Sequence, residues 1–164
     1  MKLKLTNICL TLAVLLGSAG VSVGADFQKS FTAYKSGDYA TVLRERKLFA
    51  EQGYASAQYN LGFMYEYGKD VPQNSETAVK WYRLAAEQGY ANAQTNLGVM
   101  YNNGEGVLQD YVRAHMWYNI AATSGESKNA SKNRDIITKQ MTLNQIETAQ
   151  TLARECVRKK YKGC

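Results

Sequence analysis

Residues 54–89, YASAQYNLGFMYEYGKDVPQNSETAVKWYRLAAEQG, are followed without a gap by residues 90–125, YANAQTNLGVMYNNGEGVLQDYVRAHMWYNIAATSG. Aligned end to end, the two stretches are identical at 18 of 36 positions. The shared residues are chemically varied. They include Leu61/Leu97, Gly62/Gly98, Tyr65/Tyr101, Trp81/Trp117 and Tyr82/Tyr118, together with Gln58/Gln94 and Gln73/Gln109. A fixed period of this size marks supersecondary units that cannot bury their apolar faces alone and stack to do so.

Within each unit the apolar spacing is helical. Ala57, Leu61, Met64, Tyr65 and Gly68 fall at i, i+4, i+7, i+8 and i+11, one face of a first helix. Gly68 and the segment through Pro72 break it, because proline removes a backbone donor and clashes with the preceding turn. Asn74, or Asp110 in the next unit, is a suitable N-cap for a second helix. Ala78, Trp81, Tyr82 and Ala85 give that helix its inner face, and Gly89 is expected as its left-handed C-cap. Each unit is therefore an antiparallel helical hairpin. The small residues leave room for the rings, and loss of either indole, Trp81→Ala or Trp117→Ala, is expected to cost ~3–5 kcal/mol.

The period continues in degraded form on both sides. Asp38, Tyr39, Ala50 and Gly53 sit 36 residues before Asn74, Ser75, Ala86 and Gly89, so residues 38–52 read as a second-type helix, with Phe27 to Lys35 as its shortened first partner. Downstream, Glu126 to Gln140 replaces a first helix. Thr142, with Gln145 three residues on, opens a final helix with a capping box. The expected fold is all-α, about eight helices and no strand, divided as 26–53 (degenerate unit), 54–89, 90–125 and 126–164 (capping helices).

Residues 1–25 are a different kind of text. Lys2 and Lys4 precede an apolar run from Ile8 to Leu16, and small residues lead to Ala25, a site a signal peptidase can cut before Asp26. The run is far shorter than the ~20 residues that span a bilayer, which argues against a retained anchor. The expected location is periplasmic or secreted, with no integral membrane segment after cleavage. The processed chain keeps Cys156 and Cys164, and an even pair in an exported chain points to a disulfide. Two free thiols, or pairing between molecules, are the alternatives. A straight helix through Tyr161 would hold the two apart by about 12 Å, so the bond requires the helix to end near Lys159 or Lys160 and the chain to fold back.

In these motifs the chain resembles the Sel1-like repeats, relatives of the tetratricopeptide repeat. The likeness rests on Ala55-x-Ala57-x-x-x-Leu61-Gly62-x-Met64-Tyr65-x-x-Gly68-x-x-Val71, on Trp81-Tyr82-x-x-Ala85-Ala86-x-x-Gly89, and on their counterparts at 91–107 and 117–125. The resemblance implies a right-handed α-solenoid that serves as a protein–protein interaction scaffold, with exported bacterial members working at the cell envelope. One cysteine-rich branch binds penicillins and has been called β-lactamase. That branch carries a cysteine pair in each repeat, which this chain lacks.

The residues argue against catalysis, cofactors and metals. With one His and three Cys, a structural zinc site lacks ligands. Neither G-x-G-x-x-G nor G-x-x-x-x-G-K-[ST] occurs, so no phosphate cradle is written in the chain. No serine has a lysine three residues later and there is no K-T-G, so the penicillin-hydrolase alternative has no nucleophile–base pair. His115, which aligns with Val79, reads as a surface or half-buried histidine. Charge is polarised. Residues 128–164 hold nine basic against three acidic residues, a net +6, while 26–127 carry nine against eleven, a net −2. That basic end suits an anionic envelope surface or an acidic protein, or is simply a solvated cap, and export argues against nucleic acid.

The expected partner-reading surface is the part of the first helices where the units differ. Tyr59, Phe63, Glu66 and Tyr67 are spaced i, i+4, i+7 and i+8, and the next unit has Thr95, Val99, Asn102 and Asn103 there. Variation on a repeating frame is what a recognition surface looks like. The alternative is that Tyr59, Phe63 and Tyr67 pack on residues 27–53.

Overall fold

The computed structural model describes Thr32, Lys35 and residues 39–164. Among these, seven helices and no strand are present: α1 Tyr39–Glu51, α2 Ala55–Tyr67, α3 Ser75–Ala86, α4 Ala91–Asn103, α5 Tyr111–Ser124, α6 Ala130–Thr138 and α7 Leu143–Arg158. The expected eighth helix, Phe27 to Lys35, and the cleavage site at Ala25 lie outside the described residues, apart from Thr32 and Lys35, which are helical. The chain forms two compact units, 1–45 and 46–164. In the first, Val42 and Glu45 of α1 are buried and Arg44 approaches the Glu45 carboxylate at 3.5 Å.

The second unit is the repeat array. Helices α2 and α3 pair as one hairpin and α4 and α5 as the next; α3 packs on α4, and α5 packs on both α6 and α7. Leu61, Leu97, Met100, Tyr82 and Trp117 are fully buried at the centre of these contacts. Fully burying such side chains is worth ~1.5–3 kcal/mol each, and this, more than helix propensity, holds short helices in place. Close approach of the paired helices depends on Gly62 and Gly98. A Cβ on either would lie 2.7 Å from the Cδ1 of Tyr82 or Tyr118.

The identical polar residues turn out to be connectors. Gln58 Nε2 donates to the Ala50 carbonyl at 3.0 Å and Gln94 Nε2 to the Ala86 carbonyl at 3.1 Å, so each first helix is tied to the end of the helix before it. Gln73 and Gln109 donate to the carbonyls of Glu66 and Asn102, both at 2.8 Å, closing the intra-hairpin loop. Asn74 and Asp110 cap α3 and α5 through the N–H groups of Thr77 and Arg113. Gly68 and Gly104 end α2 and α4 at φ 65° and 73°, a conformation that costs a side chain about 1–2 kcal/mol.

Three details differ from the sequence reading. Gly89 has φ 83°, but α3 ends earlier, with Glu87 in a right-handed C-cap. Gly125 is the left-handed C-cap of α5. Trp81 is half-buried whereas Trp117 is buried, so the two indoles are not equivalent. His115 is buried at 3 % exposure.

At the C-terminus, Thr142 and Gln145 form a reciprocal capping box that starts α7. The helix stops at Arg158, and Lys160, Tyr161 and Gly163 all take positive φ (52°, 65° and 67°). That reversal brings Cys164 back to Cys156, with Cα atoms 5.6 Å apart and a disulfide between them.

Candidate functional site: the variable ledge of the first helices

The variable positions fall on α2 and α4, and the structure gives them different environments. On α2, Tyr67 is 57 % exposed, while Tyr59, Phe63 and Glu66 are half-buried. The rings of Phe63 and Tyr67 pack at a tilt of 43° with centroids 4.5 Å apart, and the Lys69 ammonium sits 4.9 Å from the Phe63 centroid. Tyr59 lies 5.1 Å from Tyr90 and 5.7 Å from Tyr82. Aromatic pairs at these separations add ~0.5–1.5 kcal/mol beyond burial, so the ledge is ordered before anything touches it.

A polar chain fixes the ledge to the frame. Asn96 Nδ2 donates to the Tyr82 hydroxyl at 3.0 Å, and that hydroxyl donates to the Glu66 carboxylate. One residue from each of α2, α3 and α4 takes part. Burial, and next the bond to Glu66, push the Tyr82 hydroxyl pKa upward. Burial followed by the phenol of Tyr90 and the charge of Glu66 raises Tyr59; burial and then Glu66 raise Tyr67. Both stay neutral donors near pH 7.

The α4 side is different. Thr95 is only 6 % exposed, and its hydroxyl is engaged by the Ala91 carbonyl at 2.9 Å and by Ser127 Oγ at 2.8 Å. Val99 is half-buried. Asn102 donates to Asn103 at 2.8 Å, and Asn103 donates to Glu105 at 2.9 Å. The α2 half is thus an aromatic ledge and the α4 half a polar one. The alternative packing of Tyr59, Phe63 and Tyr67 on residues 27–53 falls largely outside the described residues.

Tyr90 and Asn96 join the site although both are at positions identical in the two units. Their identity with Tyr54 and Asn60 concealed them, since Tyr54 and Asn60 are exposed and have no such role. Of the repeat-frame residues, Leu61, Gly62, Tyr82, Leu97, Gly98, Tyr101, Trp117 and Tyr118 are buried, while Tyr65 and Trp81 are half-buried. Burial pushes the Tyr118 hydroxyl up to about 12. Among the described residues, no three His, Cys, Asp or Glu side chains converge as a metal site requires, and no helix is long and apolar enough to cross a membrane.

Hairpins of fixed length, tied end to end by repeated glutamines, define a helical-repeat protein of the solenoid class. The Sel1 repeat family model matches residues 55–90 and 91–126. A Sel1 repeat protein from Oxalobacter formigenes is 34 % identical over 76 % of this chain and 97 % of its own, with a TM-score of 0.62. The chain belongs to the Sel1 repeat family. A protective antigen present in uropathogenic Escherichia coli strains, displaying an SLR fold, is 29 % identical with a TM-score of 0.75. The match covers 84 % of this chain and 31 % of that antigen, so the chain spans about a third of its length. No curated protein matches the chain.

Proposed function

We propose that this protein is an exported, non-enzymatic scaffold of the bacterial cell envelope that takes a protein partner on the ledge of α2 and α4. Sel1 repeats generally mediate protein–protein interactions. The observation that carries the reading is the exposed Tyr67 ring packed against half-buried Phe63, at positions where the neighbouring repeat has Val99 and Asn103. Rigid aromatic side chains lose little entropy on binding and dominate interface energetics. The half-buried Tyr59 and Glu66 would orient a partner beside them. The disulfide and the basic, then apolar, then small-residue pattern of 1–25 support an extracytoplasmic location.

Site-specific photo-crosslinking from position 67 in envelope extract tests the ledge. A discrete adduct that disappears with Phe63→Asp, in a variant that still melts cooperatively, is the expected result. Adducts unaffected by Phe63→Asp would remove the ledge from the function. Export is read from intact mass, which should correspond to a chain starting at Asp26. Absence of nitrocefin turnover is expected; turnover that survives repurification would favour the penicillin-hydrolase alternative.

A further inference from the structure

Residues 156–164, CVRKKYKGC, contain Arg158, Lys159, Lys160 and Lys162 and no acidic residue. All four are exposed, and among the described residues none is in an ion pair. Neighbouring like charges repel, yet the loop gathers them in a fixed arrangement. The disulfide closes the loop, and the Tyr161 N–H donates to the Cys156 carbonyl at 2.8 Å. The Tyr161 ring lies against Gly89, so close that a Cβ there would sit 3.2 Å from the ring. Uncompensated charge held this firmly invites an anionic partner.

A recess of about 140 Å³ opens beside the loop, between α5 and α7. Met116 and Cys156, both buried, form its wall with Leu152 and the rest of the disulfide, while exposed Arg113 and Lys159 and half-buried Glu155 stand at its rim. The recess is open to solvent on one side and partly polar, so it offers a single apolar side chain a wall of Met116, Leu152 and the disulfide to rest on. The rim is nearly balanced in charge, because Glu155 is acidic and Arg113 is already 3.5 Å from the Asp110 carboxylate. A bare anion therefore gains little inside the recess. The excess positive charge lies next to it, on the loop.

We propose that the recess and the disulfide-closed loop form a docking site for an acidic segment of a partner protein. One apolar residue of the segment enters the recess while flanking carboxylates meet Arg158, Lys159, Lys160 and Lys162. The site is separate from the ledge of α2 and α4 and does not depend on that ledge having a function. A concave recess with Met116, Leu152 and the disulfide on its wall and charged side chains at its rim suits a peptide side chain. A lipid surface is flat and would meet the lysines alone, leaving the recess unused; Val157 is the loop's exposed large apolar side chain, at 46 %.

The test uses the oxidised protein and three probes. They are a fluorescent decapeptide with two leucines flanked by glutamates, a deca-glutamate of equal length, and vesicles containing phosphatidylglycerol. The leucine-containing peptide should bind at least about tenfold more tightly than deca-glutamate, tenfold being the effect of one modest apolar anchor. Its affinity should fall as salt rises. Lys159→Glu with Lys162→Glu should weaken it about tenfold or more by charge reversal at the rim of the complex. Leu152→Phe, which fills the recess and leaves charge unchanged, should weaken it comparably. Melting curves confirm that each variant is folded, and the exposed lysine pair keeps the test valid if Leu152→Phe fails to fold. Equal binding of both peptides, or indifference to Leu152→Phe in a folded variant, would reduce the site to a charged patch and overturn the proposal. Charge-dependent vesicle binding without peptide binding would overturn it in favour of a lipid surface, and so would no binding at all in favour of a solvated cap.

Discussion

Replacing Gly98 with alanine sets two effects against each other, and the structure says which wins. Gly98 is in the middle of α4, where alanine is favoured over glycine by ~1 kcal/mol through backbone entropy. An ideal Cβ there would lie 2.7 Å from both Cδ1 and Cε1 of Tyr118 and 3.3 Å from the Ala114 carbonyl oxygen. Comfortable carbon–carbon contact is ~3.5–4.0 Å, so the ring must retreat by most of an ångström. Tyr118 is 2 % exposed, and its ring is rigid and enclosed by the core, so it has nowhere to go. Overpacking of this kind costs ~1–3 kcal/mol, and contact with two ring atoms and a backbone carbonyl places it at the upper end. The net effect should be a loss of about 2 kcal/mol, or a fall in Tm of about 4–8 °C. In a Tyr118→Leu background the obstacle is gone, and the same substitution should become neutral or stabilising by up to ~1 kcal/mol. Urea melts of the four proteins, followed by circular dichroism with m-values compared, give the coupling. A Gly98→Ala protein as stable as its parent, or an equal loss in both backgrounds, would refute the steric account.

His115→Val installs the residue that the first repeat has at this place and removes a buried Nδ1 that has no hydrogen-bond partner; a gain of ~1 kcal/mol is expected at pH 7.5, read from urea midpoints. Burial, and then Arg134, lower the His115 pKa below 6.5 while Asp135 opposes them, so the unfolded state takes the proton first. The histidine's contribution to stability is therefore full above about pH 6.5 and declines as pH drops towards the folded-state pKa. The advantage of the valine variant in Tm should widen between pH 7.5 and pH 5.5, and a constant gap would contradict the reading. Trp117→Ala should cost ~3–5 kcal/mol, whereas Trp81→Ala, losing a half-buried ring, should cost roughly half as much; equal losses in urea unfolding would mean that exposure does not rank the two sites. Cys164→Ser should lower stability by about 2–3 kcal/mol, since the bond closes a short loop, and the parent should be two hydrogens lighter than its reduced form by intact mass.

The hairpins were legible because their determinants are local. Asn74 and Asp110 cap, Gly68 and Gly104 stop, and the apolar spacing of Leu61–Met64 and Leu97–Met100 needs no partner to be read. The capping box at Thr142 was legible for the same reason. What stayed hidden depends on neighbours. Trp81 and Trp117 are the same residue in the same register, and only the packing of α6 and α7 on α5 marks the second as different. His115 gave no sign of burial because its neighbours Arg134 and Asp135 arrive from another helix. At the ledge, spacing located Tyr59, Phe63 and Tyr67, yet Thr95 looked equally free until Ser127 closed over it from 32 residues away. The reversal after Arg158 was anticipated from the cysteines, but Lys160 and Tyr161 take left-handed conformations that their residue types do not announce.

The glutamine tie has a consequence for how long such an array can be. Gln58 reads the carbonyl of Ala50 and Gln94 that of Ala86, each eight residues back. The corresponding position one period on is Ala130, which is buried and has no side-chain amide to offer the Ala122 carbonyl. The chain thus has an addressing rule for adding a hairpin, and a residue that withholds the address where addition stops. A further 36-residue copy inserted after Gly89 would find an acceptor behind it and supply one ahead. The length of the ledge is then a quantity that duplication can change in whole steps while the end that terminates the array is left untouched.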